Sequence, residues 1–284
     1  MPKRKLATWL GTVLGLLSAL LIAQAHGAEQ LREEFHQTYT VKTNVTISLE
    51  NINGAAHISA WDRNEVKVDA VKTAWEQSRL DEAKIQVDAN TNSVSIHTQY
   101  AGHDHNFNNG DHDRPASVEY TLTVPRSARL EEIKLINGGL DIDGVAGDVE
   151  ASCINGPLNA RTLAGRARLS TVNGPLEAQF GKLSKESSIE LSSVNGPLQL
   201  VLPSAANAEV EATTVHGPIS NDFGLRIHNH QWTGHDMHAE IGAGGTHIRL
   251  NNVNGPILVH HAGDGQAVSP GKDLSSSEHD GDEI

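Results

Sequence analysis

The sequence predicts an all-β fold: a right-handed parallel β-helix, or β-solenoid, of about 18–22-residue coils with irregular strands before it. Three observations predict it. An Asn-Gly corner, usually followed by Pro, recurs along the chain; from residue 137 to 216 its copies come every 18–22 residues; and apolar residues alternate on both sides of each copy.

The corner reads "CINGPLNA" (153–160), "STVNGPLEA" (170–178), "SVNGPLQL" (193–200), "TVHGPISN" (214–221) and "NVNGPILV" (252–259), with weaker copies "NINGAAHI" (51–58) and "LINGGLDI" (135–142). Its turn residues are Asn53 and Gly54, Asn137 and Gly138, Asn155 and Gly156, Asn173 and Gly174, Asn195 and Gly196, His216 and Gly217, and Asn254 and Gly255. From 137 onward the gaps are 18, 18, 22, 21 and 38 residues, so the last interval is of double length. Asn tolerates a left-handed backbone, Gly adopts one without steric cost, and Pro pre-sets φ for the strand that follows. His216, in the Asn register, is expected to take the same left-handed conformation. A residue repeated at every corner is a structural device, because catalysis needs one convergent constellation.

Aligned on the corner, apolar columns stand six residues before it (Val149, Ala167, Ile189, Val210, Ile248) and four before it (Ala151, Leu169, Leu191, Ala212, Leu250). Others stand immediately before it (Ile136, Ile154, Val172, Val194, Val215, Val253) and three and five after, as in Leu158/Ala160 and Leu176/Ala178. These columns are expected to face the core. Five residues before the corner the column is charged, and stacking would set Glu150, Arg168 and Glu190 into an exposed ladder of alternating sign. An antiparallel meander also fits strand-turn-strand-turn units, but identical columns in consecutive units favour stacked coils.

Taken in order, residues 1–25 are read as a secretory signal peptide: "MPKRK", an apolar run, and Ala-x-Ala at Ala23–Ala25, with an uncleaved anchor as the alternative. Residues 29–130 form an N-terminal β region leading into the solenoid, with a polar loop at 101–116 and room for a short helix in "EQSRLDEAKIQVDA". Residues 131–262 carry the repeats. Residues 263–284, with six acids and one lysine, are expected to be a disordered acidic tail. The N-terminal strands are expected to cover one end of the stack and the segment near His260 the other.

Removing residues 1–25 takes away three positive charges and no acids, moving the formal net charge from -13 to -16. So acidic a chain disfavours nucleic acid and anionic lipid as partners. Aromatic residues make up only 4% of the chain, which suits a thin aliphatic core rather than a large pocketed enzyme. With one cysteine, Cys153, no internal disulfide can form.

The stretches "NINGAAHISAWDRNEVKVDA" and "VEYTLTVPRSARLEEIKLINGGLDIDGVAGDVEAS" and the serial "VNGPL" corners resemble the bacterial DUF4097 proteins, a β-strand-repeat family named as candidate adhesins. The similarity runs from about Tyr39 to His261. It implies a β-solenoid exposed in the cell envelope and carries over no catalytic or ligand residue. Pro after the corner Gly, where many relatives place an acid, is the departure.

Histidine is the compositional outlier, with 16 copies. His97, His103, His105 and His112 lie in or beside the polar loop, and His228, His230, His235 and His238 lie in the long interval. "HNH" places alternate imidazoles on one side of an extended segment, a pattern that suits Zn or Cu, so the last four are the metal-ligand candidates. No other cofactor is expected. Asp141 and Asp143 are the close acid pair a carbohydrate-active β-helix enzyme would need, without an aromatic platform beside them. Trp61, Trp75 and Trp232 are too scattered to form a binding face. Cys153 stands in a column of small and polar residues, where it fills a stacking slot rather than acting as a nucleophile. The expectation is an exported, non-enzymatic envelope protein, periplasmic or at the cell surface, acting as a structural or adhesion module. Its partner is a protein or glycan of the envelope, and no transmembrane domain remains after signal cleavage. A metal-binding protein and a carbohydrate-active enzyme are the alternatives.

Overall fold

The computed structural model describes residues 30–100, 114–185, 187–230 and 234–274. The signal segment, His103, His105 and His112 of the polar loop, Trp232 and the last ten residues lie outside them, as do the side chains of Asn229 and His230.

The chain opens with β1 (Leu31–Thr40) and a first corner unit, β2 (Thr46–Asn53) with β3 (Ala56–Trp61). Then come β4 (Glu65–Ala74), the short helix α1 (Gln77–Glu82), β5 (Ala83–Ala89) and a second unit, β6 (Ser93–Tyr100) with β7 (Ser117–Pro125). Four units follow in succession: β8 (Arg129–Asn137) with β9 (Leu140–Asp143), β10 (Val149–Asn155) with β11 (Leu158–Leu163), β12 (Ala167–Asn173) with β13 (Leu176–Phe180), and β14 (Ser188–Asn195) with β15 (Leu198–Leu202). The chain ends with β16 (Ala208–His216) and β17 (Ile219–Asn221), the hairpin β18 (His228–His230) and β19 (Gly234–Ile241), the unit β20 (Thr246–Asn254) with β21 (Ile257–His261), and β22 (Gly271–Asp273).

The first strand of every unit enters a 12-stranded sheet and the second a 10-stranded sheet. Equivalent positions pair in parallel from coil to coil. Asn155 meets Asn173, and Asn173 meets Asn195; across the corner, Leu158 meets Leu176 and Leu176 meets Leu198. This parallel register excludes the antiparallel meander and is consistent with stacked coils. Between the sheets lies one aliphatic core, to which a coil contributes residues such as Val149, Ala151, Cys153, Leu158 and Ala160. Each fully buried Leu, Ile or Val stabilises the stack by about 1.5–3 kcal/mol.

One expected core column points the other way. Ile52, Ile136, Ile154, Val172, Val194, Val215 and Val253 are 37–47% exposed. Along a strand only every second residue faces inward. Val149, Ala151 and Cys153 do so, which turns Ile154 to solvent.

The corner also differs in detail from expectation. Gly carries the positive φ, for example +153° at Gly156 and +151° at Gly174, while no corner Asn, nor His216, is among the positive-φ residues. A Cβ on Gly174 would land on the carbonyl oxygen of Gly156 one coil back, so glycine is required there for close stacking as well as for its backbone angle. Hydrogen bonds tie the corners together: Gly156 N–H donates to Asn173 O (2.9 Å) and Leu158 N–H to Pro175 O (2.9 Å). Proline sits at the one position between these donors, where its missing N–H costs no bond.

The spatial order of coils is not the chain order. The unit at 246–261 inserts between 188–202 and 208–221, and at the other end the unit at 93–125 lies outside 46–61. Antiparallel strands make both exchanges possible: β4 on β7 and β5 on β6 at one end, β19 on β16 at the other. The N-terminal strands do cover their end, with β1 on β4. The segment near His260 does not finish the far end, because β21 pairs on both sides, with β15 and β17. That end is closed by 208–221 and the β18–β19 hairpin. The tail expected to be disordered from 263 is ordered as far as Leu274: Ser204 N–H donates to Asp264 Oδ2 (3.1 Å), and β22 pairs with β19.

Candidate interaction face

The outer surface of the 12-stranded sheet, beside the corners, carries four rows of side chains in coil register. The corner asparagines form a ladder. Asn137 Nδ2 donates to Asn53 Oδ1 (3.0 Å), and the same bond at 2.9 Å joins Asn155 to Asn137, Asn173 to Asn155, Asn195 to Asn173 and Asn254 to Asn195. Each amide between the two end members is donor to one neighbour and acceptor from the next, a pattern that requires identical residues at identical height. His216, in register with Asn254, stands at the end of this row.

Beside the ladder runs the exposed Ile/Val stripe, then a row of half-buried serines, Ser152, Ser170 and Ser192. The fourth row is charged. The expected Glu150, Arg168, Glu190 sequence is present, and the exchanged coil extends it: Arg249 falls between Glu190 and Glu211, so all five members alternate in sign. Arg168 lies 3.0 Å from Glu190 and Arg249 3.1 Å from Glu211. Where β8 joins this face it bulges, with Glu132 at φ +56° and Lys134 3.3 Å from its carboxylate.

Inside the corner, four members of the column two residues before the turn donate to a carbonyl of the adjacent coil at 3.3 Å or less. Cys153 Sγ reaches Gly138 O (3.0 Å), Thr214 Oγ1 reaches Gly255 O (3.3 Å), Asn252 Nδ2 reaches Gly196 O (2.9 Å) and Asn51 Nδ2 reaches Val118 O (2.8 Å). Most of the column is small and polar, which suits short donors at this height, although Leu135 and the unbonded Ser193 hydroxyl occupy the same column. Cys153 is 1% exposed, and burial pushes its thiol pKa up, the reverse of what a nucleophile needs.

Among the described residues, six histidines toward the two ends of the stack meet carboxylates of neighbouring strands. His36 Nδ1 is 2.7 Å from Asp69, His57 Nδ1 2.9 Å from Asp141 and His97 Nδ1 3.2 Å from Glu50. At the far end His260 meets Asp222 (2.8 Å), while His238 and His247 both reach Glu209 (3.2 and 3.1 Å). The latter three residues line an open depression of about 310 Å³ with Glu190, Glu211 and Arg249.

Of the metal-ligand candidates, His228 pairs with Asp236 across the β18–β19 hairpin and lies 3.7 Å from Asp273, while His238 is engaged by Glu209. His235 pairs with Thr214 on strand β16, at a position of opposite alternation to His238. The side chain of His230 is outside the described residues. Among the described residues no three His, Cys, Asp or Glu side chains are grouped to hold a metal ion. Asp141 holds His57 and accepts from Asn159 Nδ2 (2.8 Å), and Asp143 pairs in register with Arg161. Trp61 Nε1 closes a turn on Glu65 O (2.7 Å), and Trp75 is exposed at a strand end.

No family model matches the chain, and no curated protein does. Among solved structures it is similar to a candidate cell adhesion protein from Clostridium sporogenes, at 12% identity and TM-score 0.46 over 81% of this chain and 100% of that one. It is also similar to candidate adhesins from Bacteroides fragilis (11% identity, TM-score 0.37, 81% and 97% covered) and Parabacteroides distasonis (10%, 0.29, 81% and 97%).

Proposed function

We propose that the chain is an exported, non-enzymatic module of the bacterial cell envelope, structural or adhesive, built as a right-handed parallel β-solenoid of the DUF4097 kind. The observation that carries this reading is the Ile/Val stripe flanked by the Asn ladder and the serine row, one apolar side chain from each of seven coils. A soluble chain that exposes a contiguous apolar row rimmed by polar rows is built to be touched. The family resemblance rests on the corner motifs, and the basic and apolar N-terminal segment with its Ala-x-Ala site supports export.

The test has two parts. A reporter fused after Leu274 is expected to be active only outside the cytoplasm. The purified chain is expected to bind envelope preparations, glycan or protein, with an affinity that falls when Val172 and Val194 are replaced by Glu. Cytoplasmic retention, or binding indifferent to both substitutions, contradicts the reading.

A further inference from the structure

We infer that the occupant of the Ile/Val stripe is a second copy of this chain, docked antiparallel across a two-fold axis. The inference rests on the reading of this face as a contact surface and names its partner. The stripe is self-complementary: seven β-branched residues, Ile52, Ile136, Ile154, Val172, Val194, Val253 and Val215, follow one another at the coil spacing of about 4.8 Å, so a second stripe matches it in period. A two-fold contact uses the same patch on both partners, which a uniform column satisfies without further design.

Charge fixes the direction and the offset. The row Glu150, Arg168, Glu190, Arg249, Glu211 alternates in sign only because the 246–261 coil is inserted out of chain order. Reversed on itself about an axis through a coil, this row sets like charges opposite. About an axis between the 167–180 and 188–202 coils, Glu150 faces the copy's Arg249 and Arg168 faces its Glu190. The same offset overlays six of the seven stripe residues: Val172 on Val194, Ile154 on Val253 and Ile136 on Val215. The Glu132 bulge then lies near the copy's Glu211 at the rim, where Lys134 supplies the positive charge. Six apolar side chains per copy, with the serine row and corner prolines beside them, cover on the order of 1,000 Å² in total, the lower bound for a specific interface. The pair is therefore a weak, reversible dimer.

The experiment is sedimentation velocity on the full exported chain over roughly a hundred-fold range of concentration, with folding of every variant checked by thermal unfolding. A concentration-dependent dimer is expected, with its dissociation constant raised about tenfold or more by Val172→Glu, which adds a charge at a half-exposed site. Arg168→Glu is expected to weaken the dimer as well, and adding Glu190→Arg to restore it, which a non-specific apolar contact would not do. If Val172→Glu fails to fold, Val194→Ser in the same stripe replaces it. A monomer at every concentration, or a dimer indifferent to both the stripe and the charge substitutions, overturns the inference. If the monomer still binds envelope preparations through Val172 and Val194, self-pairing is overturned while the envelope-module reading survives.

Discussion

Asn254 donates its side-chain amide to Asn195 Oδ1 across 2.9 Å, although 59 residues separate them in the chain. The chain leaves the 188–202 coil, builds the outermost coil at 208–221, reverses through β19 and returns to fill the gap. The ladder runs unbroken through this exchange, from Asn53 to Asn254.

Ladder continuity makes the amide, rather than polarity alone, the requirement. Asn173 both donates to Asn155 and accepts from Asn195. Asn173→Asp keeps the acceptor, removes the donor and sets a carboxylate against Asn155 Oδ1. It is expected to cost about 1–3 kcal/mol in denaturant unfolding, more at pH 7 than at pH 3, where a protonated acid can donate again.

At the next residue the constraint is steric. Gly174→Ala is expected to destabilise by about 2–4 kcal/mol, since the backbone angle is unfavourable for alanine and the methyl group meets the Gly156 carbonyl. The corresponding change at Gly224, whose Cβ would meet nothing within 4 Å, carries only the cost of its φ of +70°. Comparing the two melting curves separates close stacking from backbone conformation.

The edge strand β1 is expected to hold more firmly in mild acid. The carboxylates of Asp69 and then Glu34, bonded to its two ring nitrogens, raise the pKa of His36 above its usual value. Lys67, 2.7 Å from Asp69, is the opposing charge. A raised histidine pKa gives stability that is fully present below about 6.5, the unfolded value, and is lost as pH rises through the folded value. Amide exchange of residues 31–40, corrected for its intrinsic pH dependence, should show greater protection below pH 6 than at pH 8. His36→Gln should flatten the difference.

Cys153 should behave as a short buried donor. Cys153→Ser keeps a donor toward Gly138 O, as Thr171 Oγ1 donates to Gly156 O in the same column, so its stability should stay within about 1 kcal/mol of the parent. The native thiol should react with a maleimide only at the rate of unfolding. Fast labelling under native conditions would contradict the burial.

Much of this architecture is legible in the residues, and the misses have identifiable causes. The 18-residue gaps between Asn137, Asn155 and Asn173 become the parallel register directly, and Glu150, Arg168 and Glu190 stand in the expected row. The exposed stripe was hidden because Ile154 and Val172 are as apolar as their buried neighbours; only strict parity from Ala151 and Cys153 reveals their direction. In the sequence the asparagine ladder shows only as a series of corners, since its bonds exist only once coils are stacked. The exchange of coils left one local trace: in chain order Glu190 and Glu211 would be adjacent like charges, and Arg249 relieves this. Pairing across such distances is decided by the assembled sheets, not by residues 222–245 themselves.

Cysteine pairs measure the coil order directly. In a Cys153→Ser background, the pair Glu190→Cys with Arg249→Cys joins neighbouring strands, whereas Glu190→Cys with Glu211→Cys spans two coil spacings, about 9.6 Å, beyond the reach of a disulfide. Mild oxidation followed by mass spectrometry of the monomer fraction should give an intramolecular 190–249 disulfide and no 190–211 disulfide. A 190–211 disulfide with none at 190–249 would mean that the coils stack in chain order, and both the alternating charge row and the antiparallel pairing built on it would fall.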